Sequence, residues 1–154
     1  PFAFKTNMNA TIVILCVLIA SFVCLQAAPP ARKTSAEKRE DMKQRTVIGL
    51  SCLKETKLDR SVVEKAMAQL GHSEDPKYKD FLSCSYKKQG YQDENGNILY
   101  ENISNFLSNY YKADSLKIVE KCKGTTGSNH SEMAYNAMRC VISTLNDIPD
   151  EELI

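Results

Sequence analysis

The chain has few of the residues that enzyme active sites use. It carries only two histidines, His72 and His130, and both fall in predicted loops. Neither one belongs to a Ser/His/Asp or Cys/His pattern of the kind that acid–base or nucleophilic catalysis requires. No GxxxxGK[ST] or GxGxxG motif is present, so no phosphate-binding loop is indicated. The sequence therefore supplies no catalytic residue, and we predict that the protein is not an enzyme.

Metal-binding patterns are also missing. There is no CxxC pair, and no histidine stands near two cysteines at zinc spacing. The segment DENGN at 93–97 begins like a calcium loop, but its sixth position is Ile98 rather than glycine and its twelfth is Ser104 rather than glutamate. A turn in which Asn-Gly supplies positive φ is the better interpretation. We predict no metal and no cofactor.

An excess of charge of either sign is absent as well. Lysine and arginine total 20, and aspartate and glutamate total 19. Lys5 is the only charged residue in the first 27, so the remaining chain holds 19 charges of each sign. A nucleic-acid or anionic-membrane partner would favour a basic face. We therefore predict no nucleic-acid partner.

One apolar run occurs, at residues 12–25, and it is short for a membrane-spanning helix, which needs about 20 residues. Small residues follow it, placed for cleavage after Ala27 or Ala28, which is typical of a secretory signal peptide. We expect a signal peptide at 1–27 and a single secreted, extracellular domain at 28–154. Met8 is the first plausible start, which would make residues 1–7 a non-native leader. An uncleaved N-terminal anchor is the alternative.

The rest of the chain predicts an all-α fold of about six short helices with no strand. Thr34 with Glu37 fits a capping box for the first helix, which runs through Cys52, and Ser61 with Glu64 fits one for the second. Asp75 precedes a proline that opens the third helix. The fourth carries a stripe from Leu99 to Tyr110, Asp114 caps the fifth, and the sixth carries a stripe from Ala134 to Leu145.

Four cysteines lie beyond the predicted signal peptide: Cys52, Cys84, Cys122 and Cys140. An even number in a secreted chain indicates two disulfides, and four cysteines can pair in three ways. One pairing, Cys52 with Cys84 and Cys122 with Cys140, would hold each group of consecutive helices together. Each such loop closure would stabilise the fold by roughly 3–4 kcal/mol in the chain-entropy model.

The spacing of these cysteines resembles that of the insect odorant-binding proteins of the pheromone/general odorant family. The intervals contain 31, 37 and 17 residues, and the segments KETKLDRSVVEKA and YQDENGNI are also similar to the family's. That family usually has six cysteines. Counting back three intervening residues from Cys84 places the missing second cysteine at Asp80, and counting back eight from Cys140 places the missing fifth at Ser131. The chain thus resembles the four-cysteine, "minus-C" subgroup.

The resemblance implies the pairing Cys52–Cys84 and Cys122–Cys140, and a central apolar cavity that binds small hydrophobic molecules reversibly. A disulfide fewer implies more freedom between the third and sixth helices. We expect Asp80 and Ser131 to lie close together, in water or joined by a hydrogen bond, with Ser131 also capping its helix.

We expect the cavity wall to come from the apolar stripes, with tyrosine hydroxyls able to orient a ligand. The predicted ligand-binding residues are Leu50, Met67, Phe81, Tyr86, Ile103, Phe106, Tyr110, Val119, Met138 and Ile142. We also expect the C-terminal tail, with Ile148, Leu153 and Ile154, to fold over an opening. The expected partners are a small apolar molecule and, as a further candidate, a membrane receptor, for a monomer or weak homodimer.

A helical cytokine-like signalling protein, acting through a receptor surface, is the alternative function. It would also be secreted and helical with two disulfides, but it would need four long helices of about 20 residues joined by long crossovers. Glycine or proline at positions 71, 76, 90, 96 and 124 divides this chain more finely. The carrier is therefore the preferred hypothesis.

Overall fold

The computed structural model describes residues 33–112, 115–149 and 151, all within the unit Arg32–Ile154. The predicted signal peptide, the Asp114 cap and the tail residues Leu153 and Ile154 lie outside this part. Among the described residues, no helix is both long and apolar enough to span a membrane.

The described part of the chain is helical, as predicted, with six helical segments. They are α1 (Ser35–Thr56), α2 (Arg60–Ala68), α3 (Pro76–Lys88), α4 (Tyr100–Leu107), a 3₁₀ helix (Ser115–Gly124) and α5 (His130–Asn146). No strand occurs in the described residues; an isolated antiparallel bridge joins Gln92 to Ile98 across the DENGN turn.

Two of the predicted helix starts are confirmed. Thr34 forms the capping box of α1: its hydroxyl accepts from the Glu37 amide, and the Glu37 carboxylate accepts from the Thr34 amide at 2.7 Å. Asp75 caps α3 by accepting from the Lys77 amide at 2.9 Å, with Pro76 at the first helical position. These local signals fix the two helices that carry Cys52 and Cys84.

Two other predicted caps are wrong by two residues. Asp59, rather than Ser61, caps α2 and accepts from the Ser61 amide at 2.7 Å. Asn129, rather than Ser131, caps α5 and accepts from the Glu132 amide at 2.9 Å. Asp, Asn and Ser are about equally good caps, so residue type does not choose between them. In each case the earlier residue takes the extended cap conformation and the serine becomes part of the helix.

The predicted fifth helix is a 3₁₀ helix in the described residues 115–124. Its buried residues, Leu116, Val119 and Cys122, recur every third position. A 3₁₀ helix has three residues per turn, so this spacing places them in one row facing the core, whereas an α-helix would rotate the row away.

The two disulfides connect helices that pack on each other. Cys52–Cys84 joins α1 to α3 and Cys122–Cys140 joins the 3₁₀ helix to α5, with Cα–Cα distances of 5.8 and 5.7 Å. This is the pairing that the family resemblance implies. Helix α3 packs between α1 and α5, while the 3₁₀ helix packs against both α4 and α5.

Apolar side chains in the described residues form two core clusters rather than one. The first cluster lies among α1, α2, α3 and α5 and is built from Cys52, Leu58, Ala66, Tyr78, Phe81, Leu82, Ala134, Tyr135 and Met138. The second lies among α4, the 3₁₀ helix and α5 and is built from Tyr91, Tyr100, Ile103, Leu107, Leu116, Val119, Cys122, Ala137 and Val141. Tyr86, on α3, packs against both clusters.

Candidate ligand-binding interior

Most of the predicted ligand-binding residues lie in or against the two core clusters. In the first cluster they are Phe81 and Met138, with Ile142 packed against it. In the second they are Ile103 and Val119, with Phe106 packed against it. Seven of the ten predicted residues thus belong to the two clusters or pack against them. Tyr86 packs against both clusters, and we call the boundary between the clusters at Tyr86 the seam.

The other three predicted residues lie nearer the surface. Leu50 on α1 and Met67 on α2 are each 54% exposed. Tyr110 is half-buried just after α4, where its ring packs 5.4 Å from that of Phe106 and the Lys38 ammonium lies 5.1 Å above it. None of the three is a member of either cluster.

Met67 is nonetheless joined to Ile142 by an apolar surface cleft. This cleft has a volume of about 390 Å³ and is lined by Met67, Leu70, Tyr111, Ile142, Leu145, Asn146 and Ile148. None of these side chains is charged. Its volume falls within the roughly 300–1,000 Å³ typical of small-molecule sites. Ile142 lines the cleft and also packs against the first cluster.

Two further clefts are lined in part by charged side chains. One, of about 450 Å³, is lined by Asn97, Ile98, Tyr100, Glu101, Lys123, Thr125 and Met133. The other, of about 460 Å³, is lined by Pro76, Lys79, Asp80, Asn129, His130, Ser131 and Glu132.

Three aromatic rings, those of Tyr86, Tyr91 and Phe106, pack in a row that begins at the seam. The Tyr86 ring meets that of Tyr91 edge-on at 5.6 Å, and Tyr91 lies 6.2 Å from Phe106. The Arg45 guanidinium lies 3.8 Å from the Phe106 ring centroid and donates to the Tyr91 hydroxyl. Asp41 pairs with Arg45 at 3.1 Å, so the charge of this guanidinium is already balanced. Desolvation raises the pKa of Tyr91 to about 12, although Arg45 opposes the shift.

Two buried tyrosine hydroxyls have no hydrogen-bond partner within the described residues. They belong to Tyr78, which is fully buried in the first cluster, and Tyr100, in the second. Burial raises the pKa of Tyr78 to about 12, with a smaller contribution from Tyr135. It also raises the pKa of Tyr100, and a weak interaction with the Thr125 side chain offsets this in part without reaching hydrogen-bond geometry.

Tyr78 and Tyr100 are not among the ligand-binding residues predicted from the sequence. Helical periodicity assigns a tyrosine to the buried face, but it does not reveal whether the hydroxyl finds a partner there. Buried tyrosine hydroxyls usually do find one, so an unpaired pair is visible only in the structure.

Asp80 and Ser131 lie together, on α3 and in the first turn of α5. The Ser131 hydroxyl donates to the Asp80 carboxylate at 2.7 Å, and the site is exposed to water. Next to it, the Lys79 ammonium pairs with Glu132 at 3.1 Å. A polar contact thus joins α3 to α5 at the positions where the six-cysteine pattern would place a disulfide.

The DENGN turn is held together by its own aspartate. The Asp93 carboxylate accepts from the amides of Asn95 and Asn97 at 2.9 and 2.8 Å, and Gly96 adopts a φ of +89°. These bonds lower the pKa of Asp93, the Asn97 side chain contributing most. Within the described residues, no group of His, Cys, Asp and Glu side chains could hold a metal ion.

A sequence model of the PBP/GOBP family matches residues 32–144, which is most of the chain. The chain belongs to the PBP/GOBP family. No curated protein matches its sequence significantly.

Solved structures of the same type share the fold of this PBP/GOBP protein. A fatty acid binding protein, OBP56a, from the oral disk of the blowfly Phormia regina superposes with a TM-score of 0.60 at 19% identity, covering 71% of this chain and 95% of that one. The odorant-binding protein dmelOBP28a from Drosophila melanogaster superposes with a TM-score of 0.60 at 20% identity, covering 71% and 96%.

Family membership establishes the general function: this PBP/GOBP protein is a carrier that binds small ligands. Its family and structural neighbours are binding proteins. The cytokine-like alternative is not favoured.

Proposed function

We propose that residues 28–154 form a secreted, non-enzymatic carrier that holds a small hydrophobic molecule between the two core clusters and releases it reversibly. The N-terminal apolar run supports secretion, since it has the length and the small-residue exit of a signal peptide.

The observation that carries this proposal is the division of the core. A domain of this size ordinarily packs one continuous hydrophobic core. Here the described apolar residues separate into two clusters that meet at Tyr86. A ligand seated at this seam would contact Phe81 and Met138 on one side and Ile103 and Val119 on the other.

The apolar cleft beside Met67 and Ile142 is the proposed entrance. Ile148, just beyond α5, lines it, and the Lys112 ammonium donates to the Glu151 carbonyl at 2.7 Å. These contacts hold the start of the C-terminal tail beside the cleft, which supports a role for the tail in covering the opening.

The Asp80–Ser131 contact supports assignment to the four-cysteine subgroup. A hydrogen bond between an exposed carboxylate and a hydroxyl is weaker than a covalent cross-link. It leaves α3 and α5 freer to separate, which suits ligands of more than one size. The blowfly protein is a fatty acid binding protein, which supports long apolar chains as the ligand class.

Displacement of a fluorescent apolar probe, N-phenyl-1-naphthylamine, from the purified domain tests this function. Saturable binding at micromolar concentration is expected, and its absence would count against the carrier. Phe106→Trp, which adds volume beside the seam, should weaken binding by about tenfold, equivalent to ~1.4 kcal/mol. Val47→Trp is the matched control because Val47 is 66% exposed on α1 and should leave binding unchanged.

A further inference from the structure

Two sequons for N-linked glycosylation lie beyond the predicted signal peptide. They are Asn102-Ile103-Ser104 and Asn129-His130-Ser131. Both asparagines are exposed in the structure, so exposure alone does not distinguish them. The difference between the two sites lies in the contacts that each side-chain amide makes.

Asn129 lies at the end of a loop and leaves its amide nitrogen accessible. It precedes α5 with an extended backbone, φ −154° and ψ 176°, and its Oδ1 accepts from the Glu132 amide at 2.9 Å. Its Nδ2 lies 3.5 Å from the Ser128 hydroxyl, at the outer limit of a hydrogen bond. An N-linked sugar is attached to Nδ2, so modification of Asn129 would keep the oxygen that caps the helix.

Asn102, in contrast, lies inside a helix and uses its amide nitrogen. It is the third residue of α4, and its Nδ2 donates to the Gly90 carbonyl at 2.7 Å, which holds α4 against the turn that follows α3. A sugar on this nitrogen would meet the Gly90 backbone or displace the hydrogen bond. The whole sequon is helical, whereas acceptor asparagines are expected in surface loops.

We propose that Asn129 carries an N-linked glycan and that Asn102 does not. The inference rests on the proposed secretion, which would bring the chain to the glycosylation machinery. The donor is a polyprenyl-diphosphate-linked oligosaccharide. The Asn129 Nδ2 forms a bond to C1 of the first sugar and the bond from C1 to the diphosphate oxygen breaks. The amide nitrogen loses one proton to a base of the transferase, and the lipid diphosphate leaves.

The contacts of Ser131 indicate when the transfer takes place. The sequon requires the Ser131 hydroxyl as well as the asparagine. In the folded protein this hydroxyl donates to the Asp80 carboxylate at 2.7 Å. Transfer therefore precedes the docking of α5 on α3. The glycan then stands beside this contact, at the polar cleft of about 460 Å³ that Asn129 and Lys79 line.

A glycan at this position leaves the proposed entrance open. Helix α5 rises about 1.5 Å per residue, so Asn129 lies about 20 Å along the helix axis from Ile142, which lines the apolar cleft. We therefore expect the glycosylated and the deglycosylated protein to bind N-phenyl-1-naphthylamine with equal affinity.

Secretion of the chain from Met8 by cultured mammalian cells tests the site. Peptide N-glycosidase F should lower the mass of the secreted protein by one glycan. Trypsin then separates the sequons, because cleavage after Lys123 and Arg139 releases one of them and cleavage after Lys88 and Lys112 releases the other. Deglycosylation in heavy-oxygen water, followed by peptide fragmentation, should locate the label on Asn129 and not on Asn102.

Four variants assign the glycan to this sequon. Asn129→Asp should abolish the mass shift while α5 stays capped, since Asp and Asn are equally good caps. Ser131→Ala should abolish it too, whereas Ser131→Thr retains the sequon and should keep it. Asn102→Gln is the matched control and should keep the full shift. Circular dichroism reports that each variant is folded.

The outcomes distinguish this inference from the proposed function. If the chain stays inside the cells, the predicted signal peptide is wrong, and residues 28–154 behind an established signal peptide then test the glycan. A secreted protein without a shift, or with the label on Asn102, would overturn the inference and leave the carrier function standing. If Asn129 is glycosylated but neither form binds the probe, the carrier function fails and the glycosylation site stands. Tighter probe binding after the glycan is removed would show that its placement away from the entrance is wrong.

Discussion

At the scale of single residues, the buried tyrosine hydroxyls affect stability. A buried hydroxyl that lacks a partner costs about 1–3 kcal/mol of desolvation that folding does not recover. Tyr78 is fully buried, and its ring packs 6.3 Å from both Phe81 and Tyr135. The ring therefore stabilises the first cluster while the hydroxyl opposes that stabilisation.

Tyr78→Phe should therefore raise the free energy of unfolding of the ligand-free protein, by up to about 1 kcal/mol. Tyr135→Phe is the matched control in the same cluster, because its hydroxyl lies 3.2 Å from the His72 ring nitrogen. Losing that contact should lower stability by about the same amount. Urea unfolding followed by circular dichroism measures both, and a less stable Tyr78→Phe protein would show that its hydroxyl is satisfied.

Stability should also fall at alkaline pH. The pKa of Tyr78 and that of Tyr91 are raised to about 12 by burial, from an ordinary value of 10.0. Between these values the unfolded chain releases protons that the folded chain retains, so unfolding becomes more favourable as pH rises. The melting temperature should decline from about pH 10 towards pH 12. The melting temperature of the Tyr78→Phe variant should decline less steeply with pH. An unchanged slope would contradict the raised pKa of Tyr78.

A third prediction at this scale concerns the contact between Asp80 and Ser131. Replacing both residues with cysteine should form a third disulfide and stabilise the domain by roughly 2–4 kcal/mol. The measurements are a thiol count after oxidation and the melting temperature with and without reductant. Each single cysteine variant serves as a control that keeps one free thiol. If the double variant keeps two free thiols under oxidising conditions, the side chains do not approach as the 2.7 Å contact indicates.

At the scale of elements, two glycines in different surroundings test how the helices are joined. Gly71 follows α2 with a φ of +80°, and a methyl group there would approach the Met138 sulfur to 2.6 Å. Gly49 lies inside α1 with no atom near the corresponding position. The first glycine is required by backbone conformation and packing, whereas the second only lowers helix propensity.

Gly71→Ala should therefore destabilise the fold by roughly 1–3 kcal/mol, through backbone strain and displacement of Met138. Gly49→Ala should stabilise it by about 0.5–1 kcal/mol because alanine is the better helix former. Thermal unfolding of the two variants is the measurement. Equal effects would mean that α2 is not held against α5 through Gly71.

The elements also show what the sequence could predict. Six helical segments and the first and third caps followed from local signals such as Thr34–Glu37 and Asp75–Pro76. The Asp59 and Asn129 caps did not, because equally good cap residues stand two positions apart. The 3₁₀ helix did have a signal: Leu116, Val119 and Cys122 recur every third residue, and that row fits three residues per turn better than 3.6.

At the scale of the whole molecule, the tertiary arrangement of the stripes was the unpredictable part. Periodicity indicates which face of a helix is buried but not which other helix covers it. It could not show that Phe81 and Met138 would join one cluster while Ile103 and Val119 joined another. For the same reason it could not separate Leu50 and Met67, which lie near the surface, from the residues along the seam.

The C-terminal tail provides the test of how the whole molecule retains its ligand. Helix α5 ends at Asn146, so removal of residues 148–154 leaves it intact and takes away Ile148 from the cleft and Glu151 from its contact with Lys112. If the tail covers the entrance, truncation should speed probe release by about tenfold, with a smaller effect on the rate of entry. Stopped-flow dilution of the probe complex measures the release rate.

Two single variants assign that effect to the cleft. Ile148→Ser should reproduce part of the faster release because it removes an apolar side chain from the cleft lining. Pro149→Ala is its control, since Pro149 is exposed beside it. If the truncated protein releases the probe at the rate of the full chain, the tail does not cover the entrance.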